Sequence, residues 1–270
     1  MKVNICDKQL WKEYLEKLGY LSILTGFLFS FWSIPENYKT CFGICFFILV
    51  TIMFFIKLLM ANMVKHISLK LNGIKVEIKF GDIFEMGGIK VIPFNEYFDT
   101  IVDEKLIAKN TLNGIFIKKH YPHIESLDEE IAIQLKNKPF ETNSSRPSGK
   151  KIKYKLGTSI EVKNEFVLSA FTHFDDNNNA YLEKSEYLLF LDTFWLELNK
   201  LYAARNINVP LIGSGITRLS GNLNNQDFLE LILNSIKFSG LKMAHNSKIN
   251  IILHESARDS VNLFKIKNHF

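Results

Sequence analysis

The pattern of apolar and charged positions divides the chain into two parts. Residues 19–61 hold nearly all of its contiguous apolar sequence, in one stretch over 19–34 and a second over 41–61. With its flanks each stretch reaches about 20 residues, enough at 1.5 Å per residue to cross roughly 30 Å of hydrocarbon. Because only a short turn after Pro35 separates them, the pattern predicts an antiparallel hairpin of two transmembrane helices within residues 1–66.

The basic residues around the hairpin predict its orientation. Positive residues concentrate on the cytoplasmic side of membrane proteins, so both termini are expected in the cytoplasm and the protein in an inner membrane, crossing it more than once. A cleaved signal peptide is not expected, because a second span follows the first and no small-residue cleavage site separates them. Neither span carries a charge near its middle, which favours an anchor or assembly element. The flanking lysines are Lys2, Lys8, Lys12 and Lys17 before the first span, Lys39 in the turn, and Lys57, Lys65 and Lys70 after the second.

After the hairpin, residues 67–270 change to the periodicity of a water-soluble domain. Residues 74–82 alternate strictly between apolar and polar side chains, which is typical of a half-buried strand. A long amphipathic helix is predicted over 183–206, with Leu188 among its inward residues. The succession of strands and helices predicts a three-layer α/β domain with a mixed sheet. The other predicted elements are strands at 89–94, 152–162, 166–174, 209–213 and 248–255, and helices at 126–136, 225–240 and from about Ser256.

Composition narrows the class of function. The net charge of +5 comes from scattered lysines and arginines, so no nucleic-acid partner is expected. All three cysteines precede the soluble part, which suits a reducing cytosol, and Cys41 and Cys45 are interpreted as small apolar residues. The spacing of acidic and amide residues over 175–186 resembles a calcium loop, but Ala180 replaces the glycine that such a loop needs. We therefore interpret it as a polar turn and expect neither a metal nor a cofactor.

Candidate ligand-binding residues lie where predicted strands end. The strand at 209–213 opens into Gly213-Ser214-Gly215, and glycines there let backbone amides approach an anion closely. Asp82 ends the first strand of the soluble part, where a carboxylate could accept from a purine amine. Asn95 ends the next strand and offers an amide to ribose hydroxyls. Three such strand ends together form a more specific pattern for ligand binding than any one of them alone.

These motifs resemble those of macro domains over residues 74–270. Gly81-Asp82-Ile83 is similar to the family's GDI motif, residues 91–95 to its strand ending in Asn, and residues 210–216 to its phosphate loop. The resemblance implies that Asp82 and Ile83 hold adenine, that Asn95 holds the distal ribose, and that the loop wraps the diphosphate. It implies the following ligand-binding residues: Asp82, Ile83, Asn95, Gly114, Leu211, Gly213, Ser214, Gly215, Ile216, Thr217 and Arg218, the last a candidate partner for a phosphate or carboxylate.

One departure from the family points away from catalysis. Macro-domain hydrolases carry a glycine-rich loop after the Asn-bearing strand, but here residues 96–117 contain Gly114 as their only glycine. Residues 96–100 and 111–116, together with the two apolar helices, instead resemble the membrane-anchored macro effectors of Thoeris anti-phage defence. That resemblance implies a homo-oligomeric, non-enzymatic sensor of an ADP-ribose-derived nucleotide made by a TIR-domain enzyme, which acts on the bilayer. A membrane-tethered ADP-ribosyl hydrolase and a tethered scaffold remain alternatives.

Overall fold

The computed structural model describes residues 3–175, 177–215 and 223–270, and the backbone of 218–219. The chain forms two compact units: residues 3–65 together with Val261–Phe270, and His66–Ser260. The sequence places the boundary after residue 66, one residue from the observed position. It does not indicate that Val261–Phe270 belongs with the first unit.

The bounds of the elements are as follows. The helices are α1 (Lys8–Phe29), α2 (Glu36–Asn62), α3 (Leu112–His120), α4 (Ile124–Leu135), α5 (Lys184–Leu201), α6 (Asn225–Phe238) and α7 (Leu263–His269). The strands are β1 (His66–Leu71), β2 (Ile74–Phe80), β3 (Ile89–Asn95), β4 (Phe140–Thr142), β5 (Ile152–Tyr154), β6 (Ser159–Val162), β7 (Phe166–Phe174), β8 (Ala180–Leu182), β9 (Ile207–Pro210), β10 (Arg218–Leu219) and β11 (Lys248–Leu253). Short 3₁₀ turns cover Ile83–Glu85 and Glu255–Ala257.

In the first unit, α1 and α2 run antiparallel. The Val3 amide donates to Asn62 Oδ1 over 2.8 Å at one end, and the Tyr14 hydroxyl donates to the Val50 carbonyl over 2.9 Å further along. Trp11 and Phe54 stack with their ring centroids 4.6 Å apart. These contacts join the polar half of α1 to the last turns of α2.

Only α2, among the described helices, is long and apolar enough to cross a membrane, judged by length and composition. Its 27 residues correspond to about 40 Å of helix. The stretch 19–34 that the sequence predicts as the first span is helical only as far as Phe29. Five charged residues occupy the preceding part of α1, and Pro35 disfavours helix in the residue before it. They are Lys8, Lys12, Glu13, Glu16 and Lys17. The structure thus supports one of the two predicted membrane-spanning helices, α2.

The second unit is built on a mixed sheet, as the sequence predicts. Its strands follow the order β1-β2-β11-β9-β3-β7-β8-β10, with β6 paired to β7. The five strands β2, β11, β9, β3 and β7 are mutually parallel, so their carboxyl ends lie at one edge. Leu168 and Ala170 of β7 join the core under α3 and α4, whereas Phe171 packs edge to face on Tyr187 and Phe190 of α5. Helices therefore cover both faces, which gives three layers.

Several local predictions were wrong. The strand predicted over 152–162 is broken at Gly157 (φ +87°), and β5 pairs with β4 in a separate hairpin. Leu188, predicted to face inward, is 48% exposed, because Tyr187, Phe190 and Leu191 form the buried stripe of α5. The last helix starts at Leu263, seven residues after Ser256.

Candidate functional site

A cleft of about 660 Å³ lies at the carboxyl ends of the parallel strands. It is the place where open α/β sheets bind ligands, because the loops that leave neighbouring strands diverge there. The structure brings together at this cleft seven of the residues that the resemblance implies: Asp82, Ile83, Asn95, Leu211, Gly213, Ser214 and Gly215.

The loop after β9 forms the part of the cleft between the ends of β11 and β3, and we call this part the glycine end (residues 211–215). Gly213 has φ +98°, a conformation that L side chains rarely adopt. The Ser214 hydroxyl donates to the Leu211 carbonyl over 2.7 Å, and the buried Tyr187 hydroxyl donates to the Ile212 carbonyl over 2.8 Å. A Cβ at Gly215 would meet no described heavy atom within 4 Å. The loop is therefore held by two hydroxyls, and among the described residues no atom crowds Gly215.

The Asp82 carboxylate stands at the edge of the same cleft. Its Oδ1 accepts a hydrogen bond from the Phe84 amide over 2.9 Å and so fixes the 3₁₀ turn that follows β2. Asp82 is exposed, while Ile83 is buried at 4% exposure. A carboxylate oriented in this way, beside an apolar side chain, can accept a hydrogen bond from the amine of a flat heterocycle.

Asn95 lines the cleft at the end of β3, the strand next to β9 in the sheet, and is 3% exposed. Its Oδ1 accepts from the backbone amides of Tyr97 and Asp99, at 3.0 and 3.3 Å. Its Nδ2 donates to Asp99 Oδ2 over 3.0 Å. Since an amide nitrogen carries two hydrogens, one N–H remains to serve a ligand. Asn95 can therefore act as a single donor, and its oxygen is committed to the backbone.

Asp99 in turn pairs with Arg146 in a buried network, which we call the distal network (Asn95, Asp99, Arg146 and Asn178). The guanidinium donates to both Asp99 oxygens, at 3.1 and 2.7 Å, and to Asn178 Oδ1 at 2.9 Å. Its carbon lies 3.8 Å from the centre of the Tyr97 ring. Arg146 and Asp99 are 2% and 1% exposed. The network ties the end of β3 to two loops, of which the one carrying Asn178 also lines the cleft.

Other residues of the cleft were missed by sequence reasoning. They come from the loop before α3 and its first turn, the end of β7, the loop before β8, the first turn of α6, and the segment after β11. For His254 a signal existed, because it lies near the end of the strand predicted over 248–255 and so at the same sheet edge. The missed polar residues are Glu104, Lys105, Asn110, Thr111, Asn113, Thr172, Asn178, Asn179, Asn225, His254 and Ser256.

Gly114 is buried in the first turn of α3, and among the described residues it is its neighbours, not Gly114 itself, that line the cleft. Its amide donates to Thr111 Oγ1 over 3.2 Å, and a Cβ there would come within 2.3 Å of the Ala108 carbonyl oxygen. The glycine therefore lets the preceding loop close on the helix. Ile216 and Thr217 lie outside the described residues, and for Arg218 only the backbone, in β10, is described.

Behind the end of β3, His173 lies between two carboxylates. Its Nδ1 is 2.8 Å from Glu96 Oε2 and its Nε2 is 3.2 Å from Glu186 Oε1. The hydrogen bond to Glu96 raises the pKa of His173 above its usual value, and burial opposes this only in part. Glu96 follows Asn95 directly in sequence. The hydrogen-bonded pair of His173 and Glu96 therefore supports the end of β3 from the side away from the cleft.

The polar loop over 175–179 is closed by turn chemistry, as the sequence predicts. The Asp175 Oδ1 atom accepts from the backbone amides of Asn177 and Asn179, at 2.9 and 2.8 Å. Such Asx turns use the carboxylate to mimic a backbone turn. Ala180 and Glu186, at the calcium-loop positions, instead begin β8 and lie in α5.

The mixed sheet with its cleft at the strand ends is that of a macro-type α/β domain. The family model described as "Thoeris protein ThsA, Macro domain" matches residues 76–254. The Thoeris protein ThsA of Bacillus amyloliquefaciens (strain Y2) is 41% identical over 226 residues, which make up 82% of this chain and 75% of that relative. The chain belongs to the family of Thoeris ThsA proteins with a macro domain.

Solved structures of macrodomains resemble the chain more remotely. The Oceanobacillus iheyensis macrodomain with ADP is 13% identical, covers 76% of this chain and 96% of its own, and gives a TM-score of 0.48. A point mutant of that macrodomain with ADPR is 13% identical, covers 76% of this chain and 98% of its own, and gives a TM-score of 0.49.

Proposed function

We propose that this chain is a membrane-anchored sensor whose macro domain binds a nucleotide derived from ADP-ribose. The observation that carries the proposal is the cleft itself. In its glycine end, no described atom lies within 4 Å of a Cβ at Gly215, and the exposed Asp82 carboxylate lies on the same cleft. One end suits an anion bound by backbone amides, and the carboxylate suits a purine amine, so the cleft fits a ligand that has both.

The binding roles follow from the hydrogen-bonding groups that remain available. Asp82 and Ile83 would hold adenine, Gly213 to Gly215 would surround the diphosphate, and the second amide hydrogen of Asn95 would donate to a ribose hydroxyl. Ile216, Thr217 and Arg218 follow Gly215 in sequence, and on that basis we assign them to the proposed diphosphate site. No metal or cofactor takes part in this proposal.

The membrane part of the proposal rests on α2 and on the family. With about 40 Å of apolar helix, α2 is long enough to span, and the apolar end of α1 would lie beside it in the bilayer. Both termini would then be cytoplasmic at an inner membrane. The signal would come from a TIR-domain enzyme, and its binding would drive self-assembly of the chain and disruption of the bilayer. The 41% identical relative is a Thoeris protein, which supports a role in anti-phage defence.

Calorimetric titration of the detergent-solubilised full chain with ADP-ribose tests the binding site. The informative variant is Gly215→Val, because its side chain would fill the open space without meeting a described atom. The matched control is Gly87→Val, at another exposed glycine whose Cβ would also meet no described atom within 4 Å. We expect Gly215→Val to weaken binding at least about tenfold, or roughly 1.4 kcal/mol, and Gly87→Val to leave it unchanged. Equal affinities for all three proteins would remove the proposed site.

The membrane effect has its own test. Proteoliposomes that contain the full chain and an entrapped dye are exposed to the nucleotide extract of cells that express a TIR-domain enzyme. We expect release of the dye, and the same extract should release little from vesicles that carry Gly215→Val. Bound ligand without any release would contradict the membrane part of the proposal while leaving the sensor intact.

The hydrolase remains the second candidate because Asn95 keeps one donor for a substrate. It predicts turnover of ADP-ribosylated protein that Asn95→Ala abolishes. The sensor predicts tight binding with no product formed. Mass spectrometry of an ADP-ribosylated peptide incubated with the full chain separates the two, since release of free ADP-ribose would assign the enzyme.

A further inference from the structure

The segment that leaves the cleft after β11 runs directly into the first unit. His254, Ser256 and Ala257 line the cleft, and the second unit ends only three residues later, at Ser260. From Val261 onward the chain belongs to the unit that contains α1 and α2. The second unit is therefore joined to the first by two covalent connections, at Lys65–His66 and at Ser260–Val261, and the second connection begins at the rim of the cleft.

A side chain of the cleft holds the start of this connection. Asn225, the first residue of α6, lines the cleft, and its Nδ2 donates to Ser260 Oγ over 2.6 Å. The Ser260 hydroxyl donates in turn to the Ala257 carbonyl over 3.0 Å. Ser260 thus connects α6, which follows the proposed diphosphate loop, to the segment after β11.

The other end of the connection is embedded in the first unit. Phe264 of α7 is 5% exposed and shares an apolar cluster with Leu10, Tyr14 and Phe54 of α1 and α2. The Lys57 ammonium lies 5.7 Å from the centre of the Phe264 ring, and Lys265 lies 3.7 Å from the Asp7 carboxylate. A phenylalanine buried in such a cluster contributes roughly 1.5–3 kcal/mol by burial alone, so α7 is firmly attached to the anchor helices.

We propose that the segment Ser260–His269 is a strap that transmits occupancy of the cleft to the membrane anchor. This inference rests on the proposed function, because it assumes a ligand beside Asn225. A ligand that orders the first turn of α6 would favour the Asn225–Ser260 hydrogen bond and thereby the docked position of α7. A ligand shifts a conformational equilibrium only through such differential contacts, and Ser260 supplies one.

Hydrogen exchange of the full chain in detergent, with and without saturating ADP-ribose, tests the strap. In the unaltered protein we expect ADP-ribose to slow exchange of the α7 amides about fivefold, the lower end of typical coupling between sites. Ser260→Ala should reduce this slowing to less than about twofold and, because coupling is reciprocal, weaken ADP-ribose binding by no more than about fivefold. The matched control is Ser239→Ala, because Ser239 also donates to a carbonyl three residues earlier and accepts one N–H, yet contacts no residue of the cleft among those described.

A second variant examines the other end of the strap. Phe264→Ala removes the ring that attaches α7, so we expect fast exchange of α7 both with and without ADP-ribose, and ADP-ribose binding weakened by no more than about fivefold, the size of the coupling. Bound ADP-ribose with no slowing in the unaltered protein would overturn the strap while leaving the sensor intact, and so would full slowing in Ser260→Ala. Failure of ADP-ribose to bind at all would overturn the sensor and the strap together.

Discussion

Two parts of the cleft, on the neighbouring strands β9 and β3, are built in different ways. At the glycine end, Ser214 and Gly215 are exposed, and the hydroxyls of Ser214 and Tyr187 hold the loop through the Leu211 and Ile212 carbonyls. At the part that follows β3, which we call the distal end, side chains from three separate segments of the chain form the distal network around the buried Arg146–Asp99 pair. The comparison indicates that the glycine end serves mainly to admit a ligand. The distal end contributes much of the free energy that stabilises the cleft.

The largest effect is expected where the buried ion pair is broken. Arg146→Met leaves the Asp99 carboxylate buried without its partner, which typically costs about 3–5 kcal/mol. Urea unfolding of the full chain followed by circular dichroism measures it. Arg258→Met is the matched control, because its pair with Glu255 is exposed and should contribute less than about 1 kcal/mol. Equal losses in the two variants would show that the two ends do not differ in the way proposed.

Replacing Gly114 is expected to lower the unfolding free energy by a smaller amount and to act locally, on the cleft wall before α3. Gly114→Ala would bring a methyl group to 2.3 Å from the Ala108 carbonyl oxygen, a backbone atom that cannot move alone. We expect a loss of about 1–3 kcal/mol of unfolding free energy, and weaker ADP-ribose binding because the cleft wall over residues 104–113 must shift. Gly87→Ala is the control with open space around it. An unchanged melting curve for Gly114→Ala would mean that the loop closes without needing a glycine.

The same contrast explains how much of the site could be predicted from the sequence. Strand ends were predictable, because alternation identifies a strand and parallel strands end at a common edge, so Asp82, Asn95 and Gly213 were found together. The distal end could not be predicted, because the position of its loops depends on the contact between Arg146 and Asp99, which are 47 residues apart in sequence. No local pattern encodes that contact.

The fold shows the same limit. The strands of the parallel core and helices α5 and α6 followed from apolar periodicity. Strand β1 was missed although its residues alternate between exposed and buried, and the nine-residue α3 is too short to give a clear helical period. The membership of α7 in the first unit depends on Phe264 packing with residues some 200 positions earlier, such as Phe54. Contacts between residues so far apart in sequence can be identified only in the folded structure.

The smallest effect expected is a pH dependence located behind the distal end. The hydrogen bond with Glu96 raises the pKa of His173, so the folded state binds its proton more tightly than the unfolded state does. The resulting stabilisation is complete below the ordinary histidine pKa of about 6.5 and is lost as pH rises through the higher folded value. Glu186 and the ring of Tyr181 also face His173, and both remain in the variant His173→Gln.

Unfolding free energies of the unaltered chain and of His173→Gln, measured in urea at pH 6 and pH 9, test this. The advantage of the unaltered chain should be larger at the lower pH by on the order of 0.5–1 kcal/mol, because the partly exposed pair is screened by water. His254→Gln is the control, a histidine at the cleft rim whose ring bonds the Ser256 hydroxyl and no carboxylate among the described residues. A larger advantage at pH 9 would reverse the sign of the His173–Glu96 interaction. The distal end would then lose its electrostatic support, and the contrast with the glycine end would depend on Arg146 alone.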